Sequence, residues 1–202
     1  MATENSIYNV APWVSGDSYT KDDVVMRITY LDGTTTPPNT NAVPKEVKYY
    51  YALQSTSGNP TQTPETPDST YWGGYTTINN QERPNFLWTP SYNVSTKHNP
   101  RVNVVKFGNG YQQRNPDGLF SSLIKMDLTF DKRSEKEAAA ILHFLKARKG
   151  VKSFVFQNLP DLYADPISDA GFQKRFVCAT FNSTFVFFNN YTVTAAFSQE
   201  NN

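Results

Sequence analysis

Alternating apolar and polar positions run through both halves of the chain and predict short β-strands. In the first half, the segments 23–26 and 48–53 are rich in β-branched and aromatic residues, and turn-forming residues separate them at 31–34. In the second half, the same alternation predicts strands at about 102–107, 119–130, 152–157, 174–181 and 184–197. The chain is therefore expected to be mainly β.

One segment departs from this alternation and predicts a helix. Ser134 and Glu137 have the spacing of a capping box, in which the serine hydroxyl accepts from the third helical amide and Glu137 returns to the serine amide. Gly150 is the expected end of the helix, and His143 and Lys146 are expected away from its apolar face. That face is formed by Ala138, Ile141, Leu142 and Leu145. A lone amphipathic helix hides its apolar stripe against a sheet, so we expect a β-sandwich with one packed helix.

A change of composition near residue 80 divides the chain. The stretch that contains residues 79–85 is rich in Ser, Thr, Pro, Asn and Gln, which is typical of a linker. A chain of 202 residues is long enough for two small domains. We therefore predict a small all-β domain over 1–78, a linker over 79–85 and a second domain over 86–202.

Composition and charge restrict the classes of partner. Hydrophobic residues make up 38% of the chain and charged residues 18%, which favours a globular protein. The net charge of +1 gives no electrostatic reason to expect direct nucleic-acid recognition. No apolar run is long enough to span a bilayer, and residues 1–6 lack the regions of a secretory signal. We therefore expect a protein that is made and assembled in the cytoplasm.

Residues that support catalysis or metal binding are scarce. Cys178, the single cysteine, and the two histidines fall short of a structural zinc site, and the apolar neighbours of Cys178 predict a core position. Nucleophile-elbow and zinc-protease motifs are absent, so we expect neither a catalytic site nor a cofactor. A calcium loop is the alternative to an irregular loop over 158–172, because of the spacing of Asp161, Asp165 and Asp169.

The segment 107–118 contains two closely spaced turns. The first, Gly108-Asn109-Gly110, suggests a phosphate-binding loop, but neither the Lys-Ser or Lys-Thr pair nor the third glycine of such motifs follows it. The second turn has proline and glycine at 116 and 118. Two turns this close predict a compact loop at the tip of a hairpin.

Three stretches of the second half resemble the minor tail protein M family of long-tailed bacteriophages. They are 107–114 (Phe-Gly-Asn-Gly-Tyr-Gln-Gln-Arg), 150–154 (Gly-Val-Lys-Ser-Phe) and 191–197 (Tyr-Thr-Val-Thr-Ala-Ala-Phe), and the resemblance covers about 86–202. It implies a tail-tube-like β-sandwich and a structural virion protein, not an enzyme. Such a protein forms a ring between the tail tube and the tail-tip hub.

The same resemblance implies the partners and the contact residues. It implies a hexameric ring of this chain in the virion tail, in contact with the tail tube protein, the tail-tip hub proteins and the tape measure protein. The best-matched segment is the expected subunit interface: Phe107, Gly108, Asn109, Gly110, Tyr111, Gln113, Arg114 and Gly118.

The first 75 residues more weakly resemble the small β carbohydrate-binding modules of chitinases. The matching features are Trp13, the segments 19–25 and 51–54, Asn59-Pro60 and the Tyr-Trp pair that ends at Trp72. Such modules stack aromatic rings on sugars. The resemblance thus implies that Trp13 and Trp72 are glycan-binding residues, that a cell-surface glycan is a ligand, and that the module projects outward from the ring.

Alternatives remain for both halves. Trp13 and Trp72 are also the residues expected to form the core of so small a domain. The alternative function is a soluble carbohydrate-binding adhesion protein, in which the second half is a scaffold. A tail-associated glycan hydrolase is a further alternative, although no pair of carboxylates stands in a recognisable motif.

Overall fold

The computed structural model describes residues 10–31, 33–34, 42–56, 64, 70–78, 81–91, 94–118, 122–159 and 175–200. Twelve strands and one helix lie in this part of the chain, so the prediction of a mainly β fold is confirmed. In chain order they are β1 (Val24–Tyr30), β2 (Pro44–Ala52), β3 (Trp72–Gly73), β4 (Tyr75–Ile78), β5 (Gln81–Phe86), β6 (Ser95–His98), β7 (Val102–Lys106), β8 (Gln112–Pro116), β9 (Ile124–Arg133), α1 (Glu135–Arg148), β10 (Phe154–Phe156), β11 (Arg175–Phe187) and β12 (Asn190–Glu200).

Strands β1, β2 and β3 form an antiparallel sheet, called the N-terminal sheet here. Side chains from its two faces are buried in two different hydrophobic cores. Val24 on β1 pairs with Tyr51 on β2, and both side chains are buried in the main core of the chain. Side chains alternate between the two faces of a strand, so the next residues point the other way. They form a second, smaller core: Tyr19, Val25, Ala52 and Trp72. The N-terminal sheet therefore shares one of its cores with the rest of the chain.

The main sheet contains seven strands in the order β4-β5-β10-β11-β12-β9-β6. All neighbours are antiparallel except β5 and β10, which are parallel. Phe86 on β5 lies against Phe130 on β9, with ring centroids 5.6 Å apart, and against Phe197 on β12 at 5.2 Å. Strands that are distant in the sheet order thus face each other. The sheet curls around an aromatic core, and its inner faces pack as in a sandwich.

The strands of the second half match the sequence pattern at their centres and differ at their ends. β9 buries every second residue between 124 and 130, as the alternation predicts, but begins at Ile124 and not near 119. The predicted strands 174–181 and 184–197 lie in one hairpin, formed by β11 and β12, but its turn is at 188–189, inside the second predicted strand and not between the two. Asn189 has a left-handed φ of 53°, which tight hairpin turns require and asparagine tolerates.

The two ends of α1 lie where the sequence predicts them, and of the predicted capping box the structure shows the Ser134 half. The Ser134 hydroxyl accepts a hydrogen bond from the Glu137 amide at 3.2 Å, which caps the first turn. The Glu137 carboxylate accepts one from the Arg133 guanidinium at 2.7 Å. After Arg148 the chain enters the left-handed region at Lys149 and Gly150, with φ of 54° and 67°, and this conformation ends the helix.

The buried face of α1 differs from the predicted one. Ala138, Ile141 and Leu145 are buried as predicted, but Leu142 is only half-buried. His143, which was expected away from the apolar face, is only 7% exposed. The prediction was wrong here because it placed the helix against one sheet only. The helix also contacts the N-terminal sheet, which covers a second side of it.

Contacts between the N-terminal sheet and α1 are both aromatic and ionic. The Tyr51 hydroxyl lies 3.2 Å from His143 Nδ1, and the Tyr49 ring meets the imidazole edge to face at 4.6 Å. Lys136 on the helix forms an ion pair with Asp23 at 2.6 Å, beside the start of β1. The N-terminal sheet is therefore docked on the helix by buried contacts.

The segment predicted as a linker contains a strand. β5 covers 81–86, pairs with β4 on one side and with β10 on the other, and so belongs to the main sheet. The Asn85 side-chain amide also donates to the Gln157 side chain at 2.7 Å. The β4–β5 hairpin thus carries residues from both sides of the predicted boundary into one sheet. The division into domains over 1–78 and 86–202 stays a prediction.

Candidate assembly interface

β7 and β8 form a hairpin that no other described strand joins. Val102 lies opposite Pro116, Lys106 lies opposite Gln112, and every residue from 101 to 118 is exposed. Five large apolar side chains on this hairpin each keep between 42% and 63% of their surface exposed: Val102, Val104, Val105, Phe107 and Tyr111. An isolated two-stranded hairpin is only marginally stable in water, and its outer edges present unpaired backbone groups. This element therefore has the form of an exposed arm, and it is called the arm below.

Hydrogen bonds fix the tip of the arm. The Phe107 amide donates to the Tyr111 carbonyl at 2.9 Å, and the Gly110 amide donates to the Phe107 carbonyl at 3.0 Å. The Asn109 side-chain oxygen accepts from the Tyr111 amide at 3.2 Å. Gly110 has a φ of 84°, which favours glycine. The glycine-rich segment is therefore a tight turn, and it presents the Phe107 and Tyr111 rings together, with centroids 5.6 Å apart.

The structure brings the eight predicted interface residues into this one element. Seven lie between 107 and 114, and Gly118 follows β8 with a φ of 85°. Arg114 is exposed opposite Val104, and Gln113 lies opposite Val105. Neighbouring residues of a strand point to opposite faces, so the side chains of Arg114 and Gln113 lie on opposite faces of the arm.

The predicted loop over 107–118 is wrong in one respect, because β8 is a strand inside it. Asn115 and Pro116 suggested a turn, since proline cannot donate to a strand ladder. In this hairpin Pro116 is the last residue of β8, and the outer edge of β8 faces no described strand. A missing amide is tolerated on such an edge.

Comparison with known proteins identifies the family. Residues 84–201, more than half of the chain, match the phage minor tail protein family. The chain belongs to this family. It is also similar to "Tail tip protein M" of Escherichia phage lambda, with 35% identity over 71 residues, which cover 35% of this chain and 64% of that relative. The match thus spans less than two thirds of the relative. The resemblance predicted for the second half is confirmed, and the β7–β8 hairpin lies inside the matched range.

A second exposed apolar element of this phage minor tail protein was not predicted from its sequence. The far end of the β11–β12 hairpin exposes Phe185, Val186, Phe187 and Phe188. The pattern assigned this run to an ordinary strand, because apolar residues in strands are usually buried. One signal was available. No Asp, Glu, Lys or Arg occurs from 176 to 199, and depletion of charge is typical of interface cores.

The two tryptophans predicted to bind glycan have different surroundings. Trp72 is 5% exposed and meets the edge of the Tyr19 ring, with centroids 5.3 Å apart. Trp13 is half-buried, and the Arg27 guanidinium lies over its ring at 4.8 Å. Stacking on a sugar needs an exposed aromatic face, which Trp72 does not present. Glycan binding stays a prediction, and of this pair Trp13 is the less buried residue.

Two buried titratable groups lie away from the arm. Burial, together with the nearby positive charges of Arg148 and Lys146, lowers the pKa of His143 to about 4. Burial raises the pKa of the Cys178 thiol to about 11. At neutral pH the imidazole is therefore neutral and the sulfur is a thiol. Cys178 is fully buried in the main core, as predicted.

Other candidate chemistry is limited within the described ranges. They hold no group of three or more His, Cys, Asp or Glu that is placed to bind a metal ion. Asp161, Asp165 and Asp169 lie outside the described residues, so the calcium alternative stays a prediction. In the same described ranges, none of the helical segments has the length and apolar character needed to cross a bilayer.

A cavity of about 330 Å³ lies where the two halves of the chain meet. Asp22 and Tyr51 line it from the N-terminal side, and Trp88, Arg133 and Glu137 from the other. Burial raises the pKa of Asp22, and the nearby Glu137 charge raises it further. Glu137 is itself held by Arg133 at 2.7 Å. The shape of this cavity depends on the docking of the N-terminal sheet.

Proposed function

We propose that this protein is a structural component of the tail tip of a long-tailed bacteriophage, and that it forms a ring between the tail tube and the tail-tip hub. Family membership supports the structural role in the tail. The observation that carries the assembly mechanism is the β7–β8 hairpin, which exposes apolar side chains and whose outer edges pair with no described strand. In this proposal, residues 107–118 contact a neighbouring copy, and six copies close the ring through one repeated heterologous interface.

The proposed partners follow from this position. The ring contacts the tail tube protein on one side and the hub proteins on the other, and the tape measure protein passes along its axis. The protein resides in the virion tail after assembly in the host cytoplasm. The N-terminal sheet covers α1 and leaves the β7–β8 hairpin exposed, so it can face outward from the ring without blocking the contact.

Charge reversal at Arg114 tests the proposed interface. Arg114→Glu should block tail assembly when the variant is the sole source of this protein, because reversed charge at a contact weakens association. The exposed side chain lies outside the core, so the unfolding midpoint of the purified variant should not change.

Lys45→Glu is the matched control. It reverses an exposed charge on β2, which belongs to a different sheet from the arm, and should leave tails intact. Normal tails from Arg114→Glu would contradict the interface assignment. Defective tails from both variants would show that the assay reports charge in general and not this contact.

A further inference from the structure

The β11–β12 hairpin ends in an exposed apolar tip. Phe185, Val186 and Phe187 keep 61%, 54% and 60% of their surface exposed, and Phe188 at the turn keeps 86%. Side chains alternate along a strand, so Phe185 and Phe187 lie apart from Val186 and the tip is apolar on both faces. Exposed patches of this kind mark interaction sites in folded proteins.

The outer edge of β11 lies next to this tip and is open. β10 pairs only with Arg175 and Phe176, and beyond them no strand in the described part of the chain follows on this edge. Soluble proteins usually protect such edges with charges or prolines. Neither a charged residue nor a proline occurs from 176 to 199. The edge over 180–187 is therefore suited to accept another strand.

We propose that this edge and tip, residues 180–188, form the second side of the subunit contact, and that the β7–β8 hairpin of a second copy occupies it. The proposal rests on the ring proposed above and names its interface. Both elements expose apolar side chains and unpaired edges, and both stay exposed within one copy, so they do not cover each other. Strands β7 and β8 have five residues each, which fits along the open edge of β11.

Charge favours this occupant over a membrane. The arm carries Lys106 and Arg114. Exposed Asp131 and Glu135 lie beside the base of the tip, and exposed Lys132 lies between them in the chain, so these three residues carry a net negative charge. Thr192 donates to the Asp131 carboxylate at 2.8 Å, and the Asn189 side chain accepts from the Glu135 amide at 2.9 Å. Opposite charges would guide the arm to this site. A membrane-binding tip normally carries basic residues that attract anionic lipids, whereas no lysine or arginine occurs from 176 to 199.

The proposed contact is head to tail. One copy offers the arm and the next offers the edge, so the two surfaces differ and each subunit uses both. A heterologous contact of this type repeats until rotation closes a ring. It therefore supplies the geometry that the proposed function needs.

Paired cysteines test the contact in assembled tails. The native Cys178 is buried, so introduced cysteines should react selectively with a short bismaleimide. The double variant Tyr111→Cys/Phe187→Cys should give a ladder of covalent multimers, because each copy links to the next. Each single variant should stay monomeric on a denaturing gel. Dimers from Phe187→Cys alone would show a symmetric contact of the tip with itself and would overturn the proposal.

A second variant tests the same contact, and imaging distinguishes a wrong contact from a wrong proposal of the ring. Phe187→Asp should reduce incorporation into tails at least about tenfold without changing the unfolding midpoint, since it places a charge in an apolar contact. Normal incorporation of Phe187→Asp, or tails that hold the double-cysteine variant without multimers, would refute this contact. Imaging of the same tails reads the ring itself, so a sixfold ring without cross-links would leave the proposed function intact.

Vesicle flotation tests whether the tip binds a membrane instead of a second copy of the chain. The purified full chain should not float with vesicles of phosphatidylcholine and phosphatidylglycerol. Flotation that is lost in Phe188→Ser would assign the tip to a membrane and overturn the proposal.

Discussion

Tyr51 joins the N-terminal sheet to the rest of the chain, and its removal should destabilise the whole protein. The side chain is 2% exposed, its ring lies 5.1 Å from Trp88 and 5.9 Å from Phe144, and its hydroxyl lies 3.2 Å from His143 Nδ1. Truncation of a buried aromatic residue to alanine costs about 3 to 5 kcal/mol. Loss of one hydrogen bond contributes about 1 kcal/mol. We therefore expect Tyr51→Ala to lower the free energy of unfolding by about 4 kcal/mol and Tyr51→Phe by about 1 kcal/mol.

Urea unfolding measures this effect. Tryptophan fluorescence and far-ultraviolet circular dichroism should report one coincident transition, because the two parts of the chain share a core. Tyr111→Ala is the matched control. This tyrosine is 63% exposed, so its removal should change the free energy of unfolding by less than about 0.5 kcal/mol.

Two results would refute the reasoning. A cost below about 1 kcal/mol for Tyr51→Ala would mean that the buried contact contributes little. Two separate transitions, with only one of them shifted, would show that the N-terminal sheet folds independently. That outcome would support the prediction of a separate domain over 1–78.

Two further predictions concern α1. Ile141→Ala should lower the free energy of unfolding by about 2 to 5 kcal/mol, and Leu142→Ala by clearly less, because Ile141 is fully buried and Leu142 is half-buried; equal costs in urea unfolding would contradict the helix orientation. The pKa of His143 falls from 6.5 to about 4 on folding, so the unfolded chain takes up the proton first as the pH decreases. Stability should be fully present above pH 6.5 and should decrease by up to about 3 kcal/mol toward pH 4. His143→Gln should flatten this dependence, and an unchanged slope would show that other groups cause it.

The sequence determines the local structure of α1 but not its surroundings. Ser134 and Gly150 act on neighbouring residues, so the capping rules place both ends of the helix. The burial of His143 arises from Tyr51, which is 92 residues distant in the chain. The apolar periodicity of the helix sequence carries no information about this distant contact. His143 was therefore predicted outside the buried face, although it lies within it.

The candidate interface was predictable for a different reason. Resemblance to a family indicated the segment 107–114, whereas the alternation of residues alone suggested only a hairpin tip. β8 was missed because Pro116 is unfavourable in most strands but acceptable at the end of an edge strand. The apolar run 185–188 was assigned only to a strand at 184–197, because the hydrophobic pattern does not distinguish a strand buried in the core from one whose apolar side chains stay exposed.

Electron cryo-microscopy of assembled tails that contain this protein would show its copy number and its contacts. We expect six copies in one ring between the tail tube and the tip, with each β7–β8 hairpin in contact with the adjacent copy. Density in which the protein has another copy number, or in which residues 107–118 point into solvent away from every neighbour, would contradict this expectation.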